Sequence, residues 1–234
     1  MRILSVSTSL SEDSTTLKLA NKILAAATSA VEGIGLTVET DHVNVRNLSS
    51  ALTDMALTGF RSEDLEAAFA QVAKADAIVT VTPVYKVAPV GLHTLFWQLI
   101  DEKTLAGKPV LIGSTGGTPR HSLAGEAVLR PMLSYLKGIV VPTTIFAATD
   151  DWGSIEGGRN LNARIRQATE ELISLSAAIH GVAPRSPGST EAAGSPGQTQ
   201  GSGEFGRPEQ GRRPSIDDEF NPEFITPFAQ LLEG

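Results

Sequence analysis

The chain has 234 residues, 41% of them hydrophobic, a formal net charge of -7 and no cysteine. The acidic balance argues against a nucleic-acid binder, which needs surplus Lys and Arg for phosphate contacts, and against docking on anionic lipid. Without thiols there are no disulfides, zinc–thiolate centres or thiol redox chemistry, so any electrons that move here must be carried by something other than a side chain.

In chain order, Arg2 to Ser7 predicts a strand. Leu17, Ala20, Leu24, Ala27 and Val31 then repeat at helical spacing. Leu36 to Val45 has a looser strand pattern. Ser62 is placed to cap a helix that carries Leu65, Phe69 and Val72 on one face. Asp76 to Val81 is nearly all apolar, as suits a strand covered on both faces. A helix is expected from about Val90 to Ile100. Its Leu92, Leu95, Phe96, Trp97, Leu99 and Ile100 make it apolar all round, which predicts packing at a subunit interface. Pro109 to Ser114 is another buried strand. Residues 122–137 read as a helix kinked by Pro131, and Ile139 to Ala147 as a fifth strand. Ile165, Ala168, Leu172, Leu175 and Ile179 mark the last helix.

The composition then changes. Residues 1–181 form the α/β domain. Residues 182–218 are rich in Pro, Gly, Ser and Gln and are predicted to be disordered, because they cannot bury enough apolar surface to offset chain entropy. Residues 219–234 regain Phe220, Phe224, Ile225, Phe228, Leu231 and Leu232, and read either as a frayed terminus or as a short anchor for this domain or a partner. The anchor is favoured because clustered apolar residues after a polar linker otherwise invite aggregation. No signal-peptide pattern or membrane-length apolar run is found, so a cytoplasmic protein is expected.

Five strands interleaved with helices imply an α/β fold with a doubly wound parallel sheet. The flavodoxin-like order 2-1-3-4-5 is the natural choice at this strand number. Ligands in such sheets sit beyond the carboxyl ends of the strands, near the switch point. That rule selects three loops.

The first runs from Thr8 to Thr16. Ser9, Ser14, Thr15 and Thr16 place hydroxyls at the N-terminus of a helix, where unpaired N–H groups and the helix dipole favour an anion. A plain Ser-rich N-cap would look the same. Glu12 and Asp13 count against an anion unless they face solvent. The second, Thr82 to Gly91, holds Pro83, Val84, Tyr85, Lys86 and Pro89. It offers a stiff backbone to the edge of a flat heterocycle, or else is a turn around a half-buried Tyr. The third holds Ser114, Thr115, Gly116, Gly117, Arg120 and His121. Paired glycines allow close backbone approach to a ligand, or simply a tight turn.

Thr82-Pro83-Val84-Tyr85-Lys86, Gly91-Leu92 and Leu105 to Leu111, with Thr115-Gly116-Gly117, His121 and Leu129-Arg130-Pro131, resemble NAD(P)H-dependent FMN reductases. The similarity is greatest to those that supply reduced flavin to two-component alkanesulfonate-type monooxygenases. The segment Ile225 to Leu232 is similar to the end of reductases partnered with luciferase-like monooxygenases.

The resemblance implies a flavodoxin-like homodimer or homotetramer, with FMN phosphate at Ser9, Ser14, Thr15 and Thr16. It places the ring against Pro83, Val84, Tyr85 and Lys86, with Ser114, Thr115, Gly116 and Gly117 opposite. Arg120 is the candidate for a nucleotide phosphate of NADPH (NADH being the other donor), and His121 lies beside it. Hydride would pass directly from nicotinamide to flavin, with no catalytic side chain. Many relatives have a basic residue where this chain has Ser11, and Lys where it has His93. Competing readings are an FMN-containing quinone, azo or chromate reductase, a flavodoxin-like electron carrier, and a flavin-free interaction protein.

Overall fold

The computed structural model describes residues 1–9, 11 and 14–181, so the linker and the C-terminal apolar segment lie outside the described residues. The strands are β1 (Arg2–Ser7), β2 (Glu39–Asn44), β3 (Ala77–Tyr85), β4 (Ala88–Pro89), β5 (Pro109–Gly116), β6 (Ile139–Val140) and β7 (Ile145–Ala148). The helices are α1 (Thr15–Gly33), α2 (Ser49–Thr58), α3 (Glu63–Lys74), α4 (Gly91–Leu99), α5 (Ala124–Tyr135), α6 (Asp150–Gly153) and α7 (Ile155–Ile179). The sheet order is β2-β1-β3-β5-β6, with β7 also on β5 and β4 antiparallel to β3. With β5 as the fourth strand and β6 plus β7 as the fifth, this is the flavodoxin-like 2-1-3-4-5 order.

Alternation along the strands splits the core in two. Leu4, Val6, Ile78, Val110 and Ile112 face a cluster with Leu52, Leu65, Phe69, Phe96, Trp97, Leu129 and Leu133 of α2 to α5. Ile3, Ala77, Val79, Val81 and Leu111 face the other way, onto Leu19, Ile23, Ala27, Leu161, Ile165 and Leu172 of α1 and α7. Helix α3 starts as its sequence suggests. Ser62 Oγ accepts from Leu65 N–H at 3.3 Å, and Glu63, Asp64 and Glu66 complement the helix dipole.

Two expectations change. The fifth strand is broken between Val140 and Ile145. Pro142 has no N–H to give the ladder. Thr143 instead donates its N–H and hydroxyl to the Glu171 carboxylate at 2.8 and 2.6 Å. The carbonyls of Val140, Val141 and Pro142 accept from the Arg130 guanidinium at 3.3, 3.1 and 3.2 Å, and Glu126 holds that group at 2.7 Å. Side chains thus satisfy the backbone where the sheet does not. Secondly, α2 is an added helix whose apolar stripe is weak; Leu52 is its buried residue, and Gly59 ends it at φ 76°. Much of the apolar surface of α4 is covered within the chain, and part of it stays exposed. Phe96 and Trp97 are buried, and Leu92, Leu95 and Leu99 pack half-buried against the same cluster. Helix α5 runs through Pro131.

Candidate active site

The carboxyl ends of β1, β3 and β5 lie side by side, with Ser7 paired to Val81 and Pro83 to Thr115. This brings the three loops to one place. The first loop leaves β1 at Thr8, whose N–H donates to the Val81 carbonyl at 3.1 Å. Ser9 N–H donates to Asn44 Oδ1 at 3.3 Å, and Ser9 Oγ donates to the Ser11 carbonyl. Ser14 caps α1, its Oγ accepting from Thr16 N–H at 3.1 Å. Thr16 Oγ1 and Thr115 Oγ1 share a hydrogen bond of 2.8 Å, which ties the first loop to the third.

The second loop is a β-hairpin rather than an open proline-stiffened turn. Val84 pairs with Pro89 and Tyr85 with Ala88, and the Pro83 carbonyl accepts from Val90 N–H at 3.1 Å. The turn residues Lys86 and Val87 have φ of 48° and 66°. A two-residue hairpin of this hand needs positive φ at both positions, which Asn-Gly supplies at little cost and Val does not.

The third loop begins later than expected, because β5 continues to Gly116, paired with Ala148. A Cβ on Gly116 would lie 2.8 Å from Phe146 Cζ, so packing on Phe146 accounts for that glycine. Gly117 differs: a Cβ there would meet nothing within 4 Å. Neither residue has a positive φ.

A cavity of about 320 Å³ opens where the loops meet. Ser11, Ser14, Thr15 and Thr16 line it from the first loop, and Pro83, Val84 and Tyr85 from β3. Thr115, Gly116 and Gly117 line it from the third loop, with Thr149 just after β7. Val84 also packs with Ala124, Phe146 and Ala148 in a small apolar cluster. Among the described residues that line it, none is Lys or Arg, and Tyr85 alone carries a titratable group. Such a site suits a flat ligand with one anionic end, held by hydroxyls and a helix N-terminus.

Nine of the fourteen candidate residues share this cavity: Ser14, Thr15, Thr16, Pro83, Val84, Tyr85, Thr115, Gly116 and Gly117. The other five do not line it. Ser9 and Ser114 are buried; Ser9 bonds within its own loop, and Ser114 lies against Gly125, where a Cβ would come within 2.9 Å of its Oγ. Lys86 is at the exposed hairpin tip, and Arg120 and His121 are in the 3-10 turn Pro119–His121. Ser11 and Thr149 are cavity residues outside the candidate set. Thr149 follows the broken fifth strand, so the strand-end rule applied there would have reached it.

Behind the first loop is a buried polar chain. His93 of α4 is fully buried; its Nδ1 lies 2.8 Å from Thr8 Oγ1 and its Nε2 2.8 Å from Thr80 Oγ1. Trp97 Nε1 donates to Thr80 Oγ1 at 3.0 Å and to His93 Nε2 at 3.3 Å. Burial pushes the His93 pKa down to about 3, so the ring is neutral.

The profile of the family described as NADPH-dependent FMN reductase matches residues 1–153. The chain belongs to that family. It is an oxidoreductase of FMN and a nicotinamide nucleotide. This family member is 33% identical over 186 residues to NADH-dependent FMN reductase SfnE of Pseudomonas putida, a match covering 78% of this chain and 96% of that protein. It is 29% identical over 154 residues to FMN reductase (NADPH) of Pseudomonas aeruginosa, covering 65% and 83%. The X-ray structure of an oxidoreductase from Corynebacterium diphtheriae superposes with a TM-score of 0.72 at 37% identity, covering 76% and 98%. Among the described residues of this reductase, no helix is long and apolar enough to cross a membrane.

Proposed function

We propose that the chain reduces FMN with NADPH or NADH and passes the reduced flavin to a two-component flavin-dependent monooxygenase. One observation carries this reading: the three loops converge on one hydroxyl-lined cavity, where Thr16 is bonded to Thr115 in its wall. The residues fit the flavin. Ser11, Ser14, Thr15 and Thr16, with the N-terminus of α1, would hold the phosphate. Pro83, Val84 and Tyr85 would flank the ring, with Thr115, Gly116 and Gly117 opposite. The open space at Gly117 leaves room for a ring edge. When bound, FMN supplies the acceptor for a hydride from the nicotinamide. The protein's work is to keep both rings in place and to keep their reacting faces dry. A phosphate cradle whose described wall residues include no cation suits a flavin that exchanges, as delivery to a monooxygenase requires.

Arg120 is assigned to the nucleotide phosphate of NADPH. Arg120→Ala should raise the KM for NADPH more than for NADH, and an unchanged ratio removes that assignment. Leu92, Leu95 and Leu99 keep part of their surface exposed on α4, which supports a homodimer or homotetramer; sedimentation checks it. The C-terminal segment is assigned to a docking role and the reaction to the cytoplasm. The deciding experiment mixes the protein with NADPH or NADH, with and without excess FMN, and follows absorbance at the nicotinamide band. Oxidation that depends on added FMN is expected. No oxidation in either case overturns the reading. FMN that survives dialysis and passes electrons to a quinone moves the protein to the quinone reductases.

A further inference from the structure

We propose that His93 is a positioning residue for the phosphate-binding loop, acting through Thr8. This rests on the reading of the first loop as the cradle for FMN phosphate.

The hydrogen bonds assign the tautomer. Trp97 N–H can only donate, and it donates to both Thr80 Oγ1 and His93 Nε2. Nε2 is therefore the unprotonated nitrogen, and Thr80 donates its hydroxyl proton to it. Nδ1 carries the hydrogen and donates to Thr8 Oγ1. Trp97 lies one turn beyond His93, so both rings face β3 from one side of α4. Thr80 is on the sheet face that α4 covers, between Ile78 and Thr82. All four groups are fully buried, so none can turn to water instead.

The chain of bonds ends where the cradle begins. Thr8 is the first residue after β1, and its N–H is already held by the Val81 carbonyl at 3.1 Å. The His93 bond fixes its side chain as well. Two anchors on one residue set the direction in which the chain leaves the sheet. Ser9, bonded to Asn44 Oδ1, continues that course, and Ser11 and Ser14 follow into the cavity wall. At the far end the Thr16–Thr115 bond holds the first turn of α1. The cradle is thus pinned at both ends, and His93 supplies the pin at its root. Pre-ordering the loop lowers what an anion must spend to organise it.

A core histidine without this role would affect every ligand alike. The test therefore compares FMN with riboflavin, which has the same ring and ribityl chain but no phosphate. Asn places an amide N–H near the position of Nδ1, and Gln places one near Nε2. His93→Asn keeps the donor to Thr8, whereas His93→Gln loses it. By flavin-fluorescence titration, His93→Gln should raise the Kd for FMN about tenfold and that for riboflavin by less than about twofold. His93→Asn should stay within about threefold of the parent for FMN. Thr8→Val, of nearly equal volume, should repeat the selective FMN loss, and the Thr8→Val/His93→Gln pair should be no worse than either change alone. Thr8→Val carries the comparison should His93→Gln fail to fold. Parallel losses for FMN and riboflavin, or equal losses in the Gln and Asn variants, overturn the proposal. If the parent protein binds riboflavin as tightly as FMN, the phosphate cradle itself is wrong, and that result is read before any variant is made.

Discussion

Acid should weaken this fold through His93. An imidazole in the unfolded chain titrates near 6.5, whereas burial pushes it to about 3 in the fold. Between those values the unfolded chain binds a proton that the folded chain refuses. The state with more bound protons gains as pH falls, so stability is full above about pH 6.5 and is lost progressively towards the folded value. From about pH 7.5 to about pH 5 the loss at this one residue is about 2 kcal/mol. That figure is insensitive to the folded value, provided it stays below about 4. His42, also pushed down by burial, acts in the same direction, so the parent alone does not isolate His93. The comparison is with His93→Asn, which cannot titrate. Urea unfolding followed by circular dichroism at the two pH values gives a stability difference for each protein. The parent should lose about 2 kcal/mol more than the variant on acidification. Equal losses would mean that the ring is protonated or solvated in the fold, and the tautomer assigned above would fall with it.

Gly125→Ala should cost about 1–3 kcal/mol, because its methyl would come within 2.9 Å of Ser114 Cβ. Adding Ser114→Gly should restore the melting temperature; no recovery would place the strain elsewhere. Replacing Lys86 by Asn and Val87 by Gly should stabilise the fold by about 1–2 kcal/mol, since both native residues have positive φ. A lower melting temperature would show that their side chains contribute more than the strain costs. For Glu171, burial pushes the carboxyl up, but the hydrogen bonds from Thr143 and Gln167 outweigh it and hold it below the usual carboxylate range. Its contribution is therefore complete above the unfolded value and is lost as pH falls through the folded one. Glu171→Gln should cost about 1–2 kcal/mol at neutral pH and flatten the acid limb of stability, read from unfolding midpoints against pH.

Much of the fold was legible because its signals are local. The nearly unbroken apolar run from Ala77 to Val81 needed cover on both faces, and the structure supplies it with Trp97 on one side and Ile23 on the other. Ser62 before a negatively charged first turn marked where α3 begins. The strand-end rule then named three loops without any knowledge of their contacts. Which residues in those loops turn inward was not legible. Ser9 and Ser14 are the same residue type in the same loop, yet Ser9 is buried against its own backbone while Ser14 caps α1 and lines the cavity. Gly116 and Gly117 are adjacent, yet Phe146, thirty residues on, accounts for the first and not the second.

The sequence by itself determined the alternation of strand and helix and singled out three loops at the carboxyl ends of the strands, because periodicity, caps and composition act over a few neighbouring residues. The tertiary structure decided the hairpin after Tyr85, the break at Pro142 and the His93 chain behind the first loop. Each depends on a partner brought close by folding, as Thr16 meets Thr115 across 99 positions, and no pattern within a single segment encodes such a meeting.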